Sequence, residues 1–244
     1  MKIFDSVSSV RKGQVAEEDV SSSLIPRPSS LPLLTIAIAK GRMQDDALDL
    51  LARAGVKASD EMIKSRRLAV EDESGAYRFV FVKPADVPVY VEHGIADCGI
   101  VGRDVLMESG ADLLQPLDLG IARCRIALAA RVGRDLKSDL GALRVATKYP
   151  RIAASHFGAR GIPVEIIKLT GSVELAPVLG LSDCIVDLVE TGRTLVENGL
   201  EEVEMIAEST GRLVVNRASY QLKAEAVSKL LEALSSITHD GEHN

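Results

Sequence analysis

Cys184-Ile185-Val186-Asp187-Leu188-Val189-Glu190-Thr191-Gly192-Arg193-Thr194-Leu195 carries an apolar strand straight into a turn and then a helix. The apolar run is short enough for a buried strand. Thr194 stands where a helix begins, and Asn198-Gly199 supplies its stop. A helix start presents unpaired N–H groups and a partial positive charge, which together favour a phosphate. Gly192 lets the backbone curl towards a ligand, and Thr191 and Thr194 add hydroxyl donors. The acids at the strand end, Asp187 and Glu190, suit another task, accepting hydrogen bonds from two vicinal hydroxyls. Phosphate on one side and a diol on the other describe a ribose 5-phosphate. A plain strand-to-helix turn with a Thr cap would account for Thr-Gly-Arg-Thr alone; the acid pair favours the sugar phosphate.

The same alternation extends outward in both directions. Strands are expected at Leu34–Ala39, Asp97–Gly102, Cys124–Ala130, Leu143–Ala146, Val164–Lys168, Asp183–Leu188, Glu202–Ile206 and Leu213–Val215. Arg67–Glu71 and Tyr77–Val82 flank Glu73-Ser74-Gly75 and read as a hairpin. Helical spacing marks Ala47–Ala54, stopped by Gly55, then Val87–His93 before Gly94, and Ala224–Leu234. This pattern predicts an α/β fold with largely parallel sheets and helices on both faces. Lys40 and Arg42 lie just past the first strand, where open α/β sheets bind ligands. Arg67, Lys83 and Arg125 sit at or near later strand ends, so their shared placement suggests a polyphosphate site.

Composition narrows the class. With 244 residues, 46% hydrophobic and 26% charged, the chain can bury a core or build two small lobes. A formal charge of −6, 3% aromatics and no Trp argue against nucleic acid as a partner. Cys98, Cys124 and Cys184 are far apart in apolar runs, so neither zinc nor a disulfide framework is expected. The first 31 residues are Ser-rich and polar and read as a flexible extension, and 239–244 read as a tail that Thr238 begins. No signal-peptide core and no apolar stretch of about 18 residues is present, which predicts a cytoplasmic protein without a membrane span.

Several segments together resemble the ATP phosphoribosyltransferase family, from about Leu34 to Ile237. They are Lys40-Gly41-Arg42, Asp97–Asp104, Gly120–Arg125, Ala146-Thr147-Lys148-Tyr149-Pro150, Gly171–Pro177 and Asp187–Leu195. The resemblance implies two lobes like those of type II periplasmic binding proteins, with the active site in the cleft. Residues 32–123 plus 211–238 would form lobe I and 124–210 lobe II, with crossings near Ala122–Ala130 and Met205–Leu213.

It implies the first step of histidine biosynthesis, in which N1 of ATP attacks C1 of phosphoribosyl pyrophosphate and pyrophosphate leaves. The phosphoribosyl group would lie on Glu174, Asp187, Glu190, Thr191, Gly192, Arg193 and Thr194. Lys40, Gly41, Arg42, Arg67, Lys83 and Arg125 would hold ATP and polyphosphate, with Lys40, Arg42 and Arg67 catalytic. Lys83 departs from the family, where Arg is common, and the extension is not typical of it. Mg²⁺ would arrive on substrate phosphates, with no metal ligands of the protein's own. Without the histidine-binding domain of long-form members, the chain resembles the short form, a homodimer within a hetero-oligomer that includes a regulatory subunit resembling histidyl-tRNA synthetase. Asp104 reads as a helix cap and His93 as a helix-end residue. Two other readings stand beside this one: a two-lobed binding module, which would release no pyrophosphate, and a base-salvage phosphoribosyltransferase, which would use free adenine.

Overall fold

The computed structural model describes residues 33–57, 68–136 and 141–239. The extension over 1–31, the residue Arg67 and the tail residues 240–244 lie outside them. Two sheets organise the molecule. The first contains β1 (Leu34–Ala39), β2 (Ala69–Glu71), β3 (Tyr77–Val82), β4 (Cys98–Gly102), β5 (Leu114–Asp118) and β11 (Gly211–Val215), in the order β2-β3-β1-β4-β11-β5. The second contains β6 (Cys124–Arg131), β7 (Leu143–Thr147), β8 (Val164–Lys168), β9 (Cys184–Val189) and β10 (Leu200–Ser209), in the order β10-β6-β9-β7-β8. The chain passes from one sheet to the other through Leu119–Arg123 and returns through Thr210.

Alternation along the strands builds a core on each face of each sheet. Leu34, Ile36 and Ile38 of β1 pack under α1 (Gln44–Arg53) and α8 (Ala224–His239), whereas Ala37 and Ala39 meet α2 (Val87–Glu92). In the second sheet, Ile126, Leu128 and Ala130 face α4 (Pro150–Gly158). Ala127 and Ala129 face α5 (Leu175–Val178) and α6 (Arg193–Glu197). Each fully buried Ile or Leu among these contributes about 1.5–3 kcal/mol. The remaining helices are α3 (Arg103–Ser109), which opens directly from β4, and α7 (Arg217–Leu222). Among the described residues, no helix is long and apolar enough to cross a membrane.

The sheets are mixed rather than largely parallel. Parallel pairing is confined to β3-β1-β4 and to β9-β7-β8. The returning strand β11 runs antiparallel to β4 and β5, and β6 runs antiparallel to β9 and β10. Apolar patterning reports which faces are buried, not strand direction, so a mixed sheet and a parallel one read alike. Strand β5 is an addition to the expected set. Its Pro116 and its mostly exposed pattern obscure it, and both are tolerated because it lies at a sheet edge. The last helix runs to His239, so Thr238 belongs to it rather than to a tail.

Asp97 ties the first sheet to the C-terminal helices. It is 5% exposed, accepts from the Thr35 amide at 2.8 Å and the Ser219 hydroxyl at 2.7 Å, and pairs with Lys223 Nζ at 2.7 Å. Asp97→Ala leaves the lysine without its buried counter-charge and frees two donors. We expect it to lower unfolding free energy by about 3 kcal/mol in urea titrations.

Candidate active site

The C-terminal ends of β1, β3, β4 and β9 converge on a cavity of about 190 Å³. Its lining mixes residues of the first sheet and its loops (Lys40, Arg42, Asp104) with Tyr149 and Leu188 of the second. The cavity therefore lies between the two lobes. Beside it the turn after β9 is open to solvent: Glu190, Thr191, Arg193 and Thr194 are exposed. Gly192 takes φ 79° and ψ 0°, a left-handed conformation that costs an L side chain about 1–2 kcal/mol. No side chain caps α6, and the Thr191 hydroxyl lies 3.4 Å from the Arg193 amide. The amides of Gly192, Thr194 and Leu195 have no acceptor among the described residues, so the turn offers several N–H donors outward.

Asp187 sits just upstream, near the end of a mostly buried strand, and is 6% exposed. Burial raises its carboxyl above the ordinary carboxylate range, and the nearby Glu174 adds to the rise. The Leu188 amide at 2.9 Å and Lys148 Nζ at 4.0 Å counter it. Glu174, half-buried before α5, makes no capping bond, so its carboxylate is free to act beside Asp187. Lys148 was not among the expected site residues; its place after Thr147 on the neighbouring strand β7 brings it to Asp187.

Arg42 spans the gap between the lobes. Its Nη1 pairs with Glu190 Oε2 at 3.0 Å, and its Nη2 donates to the Ala122 carbonyl and the Cys124 Sγ, each at 3.4 Å. Glu190 thus faces a cation from the other lobe rather than standing free for a diol. Lys40 and Lys83 follow Ala39 and Val82, which are register partners, so both exposed amines leave adjacent strand ends. Gly41, between Lys40 and Arg42, takes φ 99°. Arg125 has a different engagement from the expected one. Its guanidinium grips Glu202 through Nε and Nη2 at 2.7–3.1 Å and donates to the Glu190 carbonyl at 3.0 Å. It acts as a strut under the turn because it stands on β6 opposite Val189, the last strand residue before that turn.

Asp104 is not a cap. It lies one residue inside α3, is 6% exposed, accepts from the Ser209 hydroxyl at 2.7 Å, and lies 3.4 Å from the Tyr149 hydroxyl. Both partners belong to the second lobe, so a buried carboxylate links the lobes at the cavity wall. Burial, then the charge of Asp104, pushes the Tyr149 phenol up, so it remains a donor throughout the working pH range. A Cβ at Gly102 would come within 2.2 Å of Asp104 Oδ1, so a side chain there would push the carboxylate off Ser209. Sequence spacing could not signal this link, since the partners are 45 and 105 residues away.

Comparison with known proteins supplies the family. The profile described as HisG: ATP phosphoribosyltransferase matches residues 83–236. The chain belongs to the ATP phosphoribosyltransferase family. It is 51% identical over 205 residues to the ATP phosphoribosyltransferase of Geobacillus sp. (strain WCH70), covering 84% of this chain and 98% of that one. Among solved structures, the ATP phosphoribosyl transferase (HisG:HisZ) complex from Thermotoga maritima matches with TM-score 0.76 and 38% identity, over 85% of this chain and 100% of that one. The periplasmic VFT2 domain of Bordetella pertussis BvgS matches with TM-score 0.51 at 16% identity, over 86% of this chain and 93% of that one, a likeness of fold alone. The two-lobed α/β architecture is thus common to an enzyme family and to periplasmic domains.

The raised Asp187 carboxyl carries a signed consequence. Its folded pKa exceeds the unfolded one, so ionisation costs stability as pH rises through the folded value. Asp187→Asn should therefore raise Tm at neutral pH, with the gain vanishing below the ordinary value of 3.8, while phosphoribosyl transfer falls. Thermal scans across pH, paired with a turnover assay, check both halves.

Proposed function

We propose that the chain transfers the 5-phosphoribosyl group of phosphoribosyl pyrophosphate to N1 of ATP, the first step of histidine biosynthesis. A bond forms between N1 and C1 of the ribose, the C1–O bond to pyrophosphate breaks, and pyrophosphate departs with the bonding electrons. The observation that carries this reading is the exposed, uncapped turn Glu190–Thr194 beside the buried carboxylate of Asp187, next to an interlobe cavity that Leu188 lines and whose Arg42 pairs with Glu190.

In this reading the turn's amides and the hydroxyls of Thr191 and Thr194 hold the 5-phosphate. Asp187 accepts from the ribose hydroxyls, with Glu174 in support and Lys148 opposing the rise that burial causes. Arg193, whose Nε bonds Glu197 at 2.8 Å, stabilises the short helix from outside. An adenine nitrogen already has its lone pair, so the site needs no strong general base. Its work is to position two anions and to stabilise the negative charge developing on pyrophosphate. Lys40, Lys83 and Arg42 carry that charge, with Gly41 allowing the close approach; Arg67 is assigned the same role from the sequence alone. Arg42 exchanges Glu190 for pyrophosphate oxygens when substrate enters, an exchange eased by their exposure of 44% and 61%.

The residues also fit a divalent cation carried by substrate. Among the described residues no three His, Cys, Asp or Glu converge as metal ligands. Magnesium would be held mainly by the phosphate oxygens of the substrates. Bound there it would neutralise part of the pyrophosphate charge.

The division into residues 32–123 plus 211–238 and 124–210 follows the two sheets and is offered as the lobe boundary. The solved relative from Thermotoga maritima is a HisG:HisZ complex; in keeping with that pairing, the chain is proposed to be the short-form catalytic subunit, a cytoplasmic homodimer that works with a separate regulatory subunit.

The test is pyrophosphate release by the purified chain with ATP and phosphoribosyl pyrophosphate, with and without the regulatory subunit, at varied histidine. Arg42→Ala is expected to lower turnover tens-fold or more, about 2–3 kcal/mol. Unchanged kinetics in a folded variant would remove Arg42 from the site.

A further inference from the structure

A second cavity, of about 530 Å³, shares none of its lining with the first. Its volume lies within the roughly 300–1,000 Å³ range of small-molecule sites. Leu50, Leu117, Leu119, Ile121 and Ile237 give it apolar walls. Arg53 and Arg123 give it cations. Arg53 is exposed and has no ion pair among the described residues. Arg123 lies 3.9 Å from Glu208 with both side chains mostly in solvent, a pair that holds it weakly. The one acid of the lining, Asp118, is already engaged by Arg212 at 2.7 Å and by the Thr210 hydroxyl at 2.8 Å. The walls therefore suit an apolar body and the two exposed guanidinium groups suit a carboxylate.

Its position gives an occupant leverage. Both connections between the lobes border it, Gly120, Ile121 and Arg123 on the outward passage and Thr210 on the return. Between Ile121 and Arg123 stands Ala122, whose φ of 51° is left-handed although it carries a side chain. Its carbonyl accepts from Arg42 Nη2 at 3.4 Å. Any shift of the neighbours of Ala122 thus reaches the Arg42 guanidinium through one peptide unit.

We propose that this cavity is a second ligand site, for a small molecule combining a carboxylate with an apolar body, and that its occupant alters turnover through Ala122 and Arg42. Only the effect on turnover rests on the role assigned to Arg42 above; binding at the cavity stands independently of it.

Hexanoate, 4-phenylbutyrate and indole-3-propionate, each beside its neutral amide, serve as calorimetric probes on the full chain. At least one acid should saturate a single site per chain, with its amide binding at least tenfold more weakly. The double variant R53E/R123E should weaken the acid at least tenfold while keeping the parent's fold by circular dichroism. Saturating acid should change the turnover of the parent chain at least twofold at saturating ATP and phosphoribosyl pyrophosphate. Absence of saturable binding by all three acids, equal binding of acid and amide, or full affinity in the double variant would each overturn the site. If no acid binds but the double variant no longer associates with the regulatory subunit, the surface belongs to a protein contact and the proposal falls. Acid binding without any kinetic change would refute the coupling to Arg42. Acid binding by a chain that releases no pyrophosphate would leave the cavity standing and overturn the catalytic reading instead.

Discussion

The ion pair of Arg42 with Glu190 is the contact on which the organisation of the site turns. One partner leaves the end of β1 and the other the end of β9, so the pair joins the exit points of two different sheets. Those exits become neighbours because the chain crosses between lobes twice, and the crossings are short. A short pair of connections lets the two sheets meet at their strand ends. Buried cores flank each sheet, so what lies between them is the connections and the charged side chains.

Electrostatics then explain how an acidic chain can serve anionic substrates. The net charge of −6 is spread over the surface, whereas Lys40, Lys83, Arg42 and Lys148 gather where strands end. The open amides after Gly192 add positive character without a side chain. Acids nearby have separate duties. Glu190 holds Arg42 in place, Glu202 orients Arg125 beneath the turn, and Asp187 with Glu174 presents acceptors. Asp104, held by hydroxyls rather than cations, keeps the wall of the cleft in register.

Much of this was legible in the residues themselves. Strands Leu34–Ala39, Tyr77–Val82 and Val164–Lys168 have the bounds that periodicity predicts, since each alternates or stays apolar between clear turn signals. The turn at Gly192 was legible for the same local reason. Edge strand β5 was not, because Pro116 and exposed side chains erase the pattern. Nor was the strut formed by Arg125, because a cation near a strand end reads alike whether it meets substrate or Glu202.

The sequence by itself determined which segments become strands and helices, where glycine must relieve the backbone, and which turn can face a phosphate. These depend on neighbours within a few residues, and steric and hydrogen-bonding rules act at that range. Only the tertiary structure decided strand direction, the placement of Lys148 against Asp187, the link from Asp104 to Ser209 and Tyr149, and the reach of Arg42 to Ala122. Such pairings join groups tens of residues apart, and their geometry is set by how two sheets close upon each other rather than by any local preference.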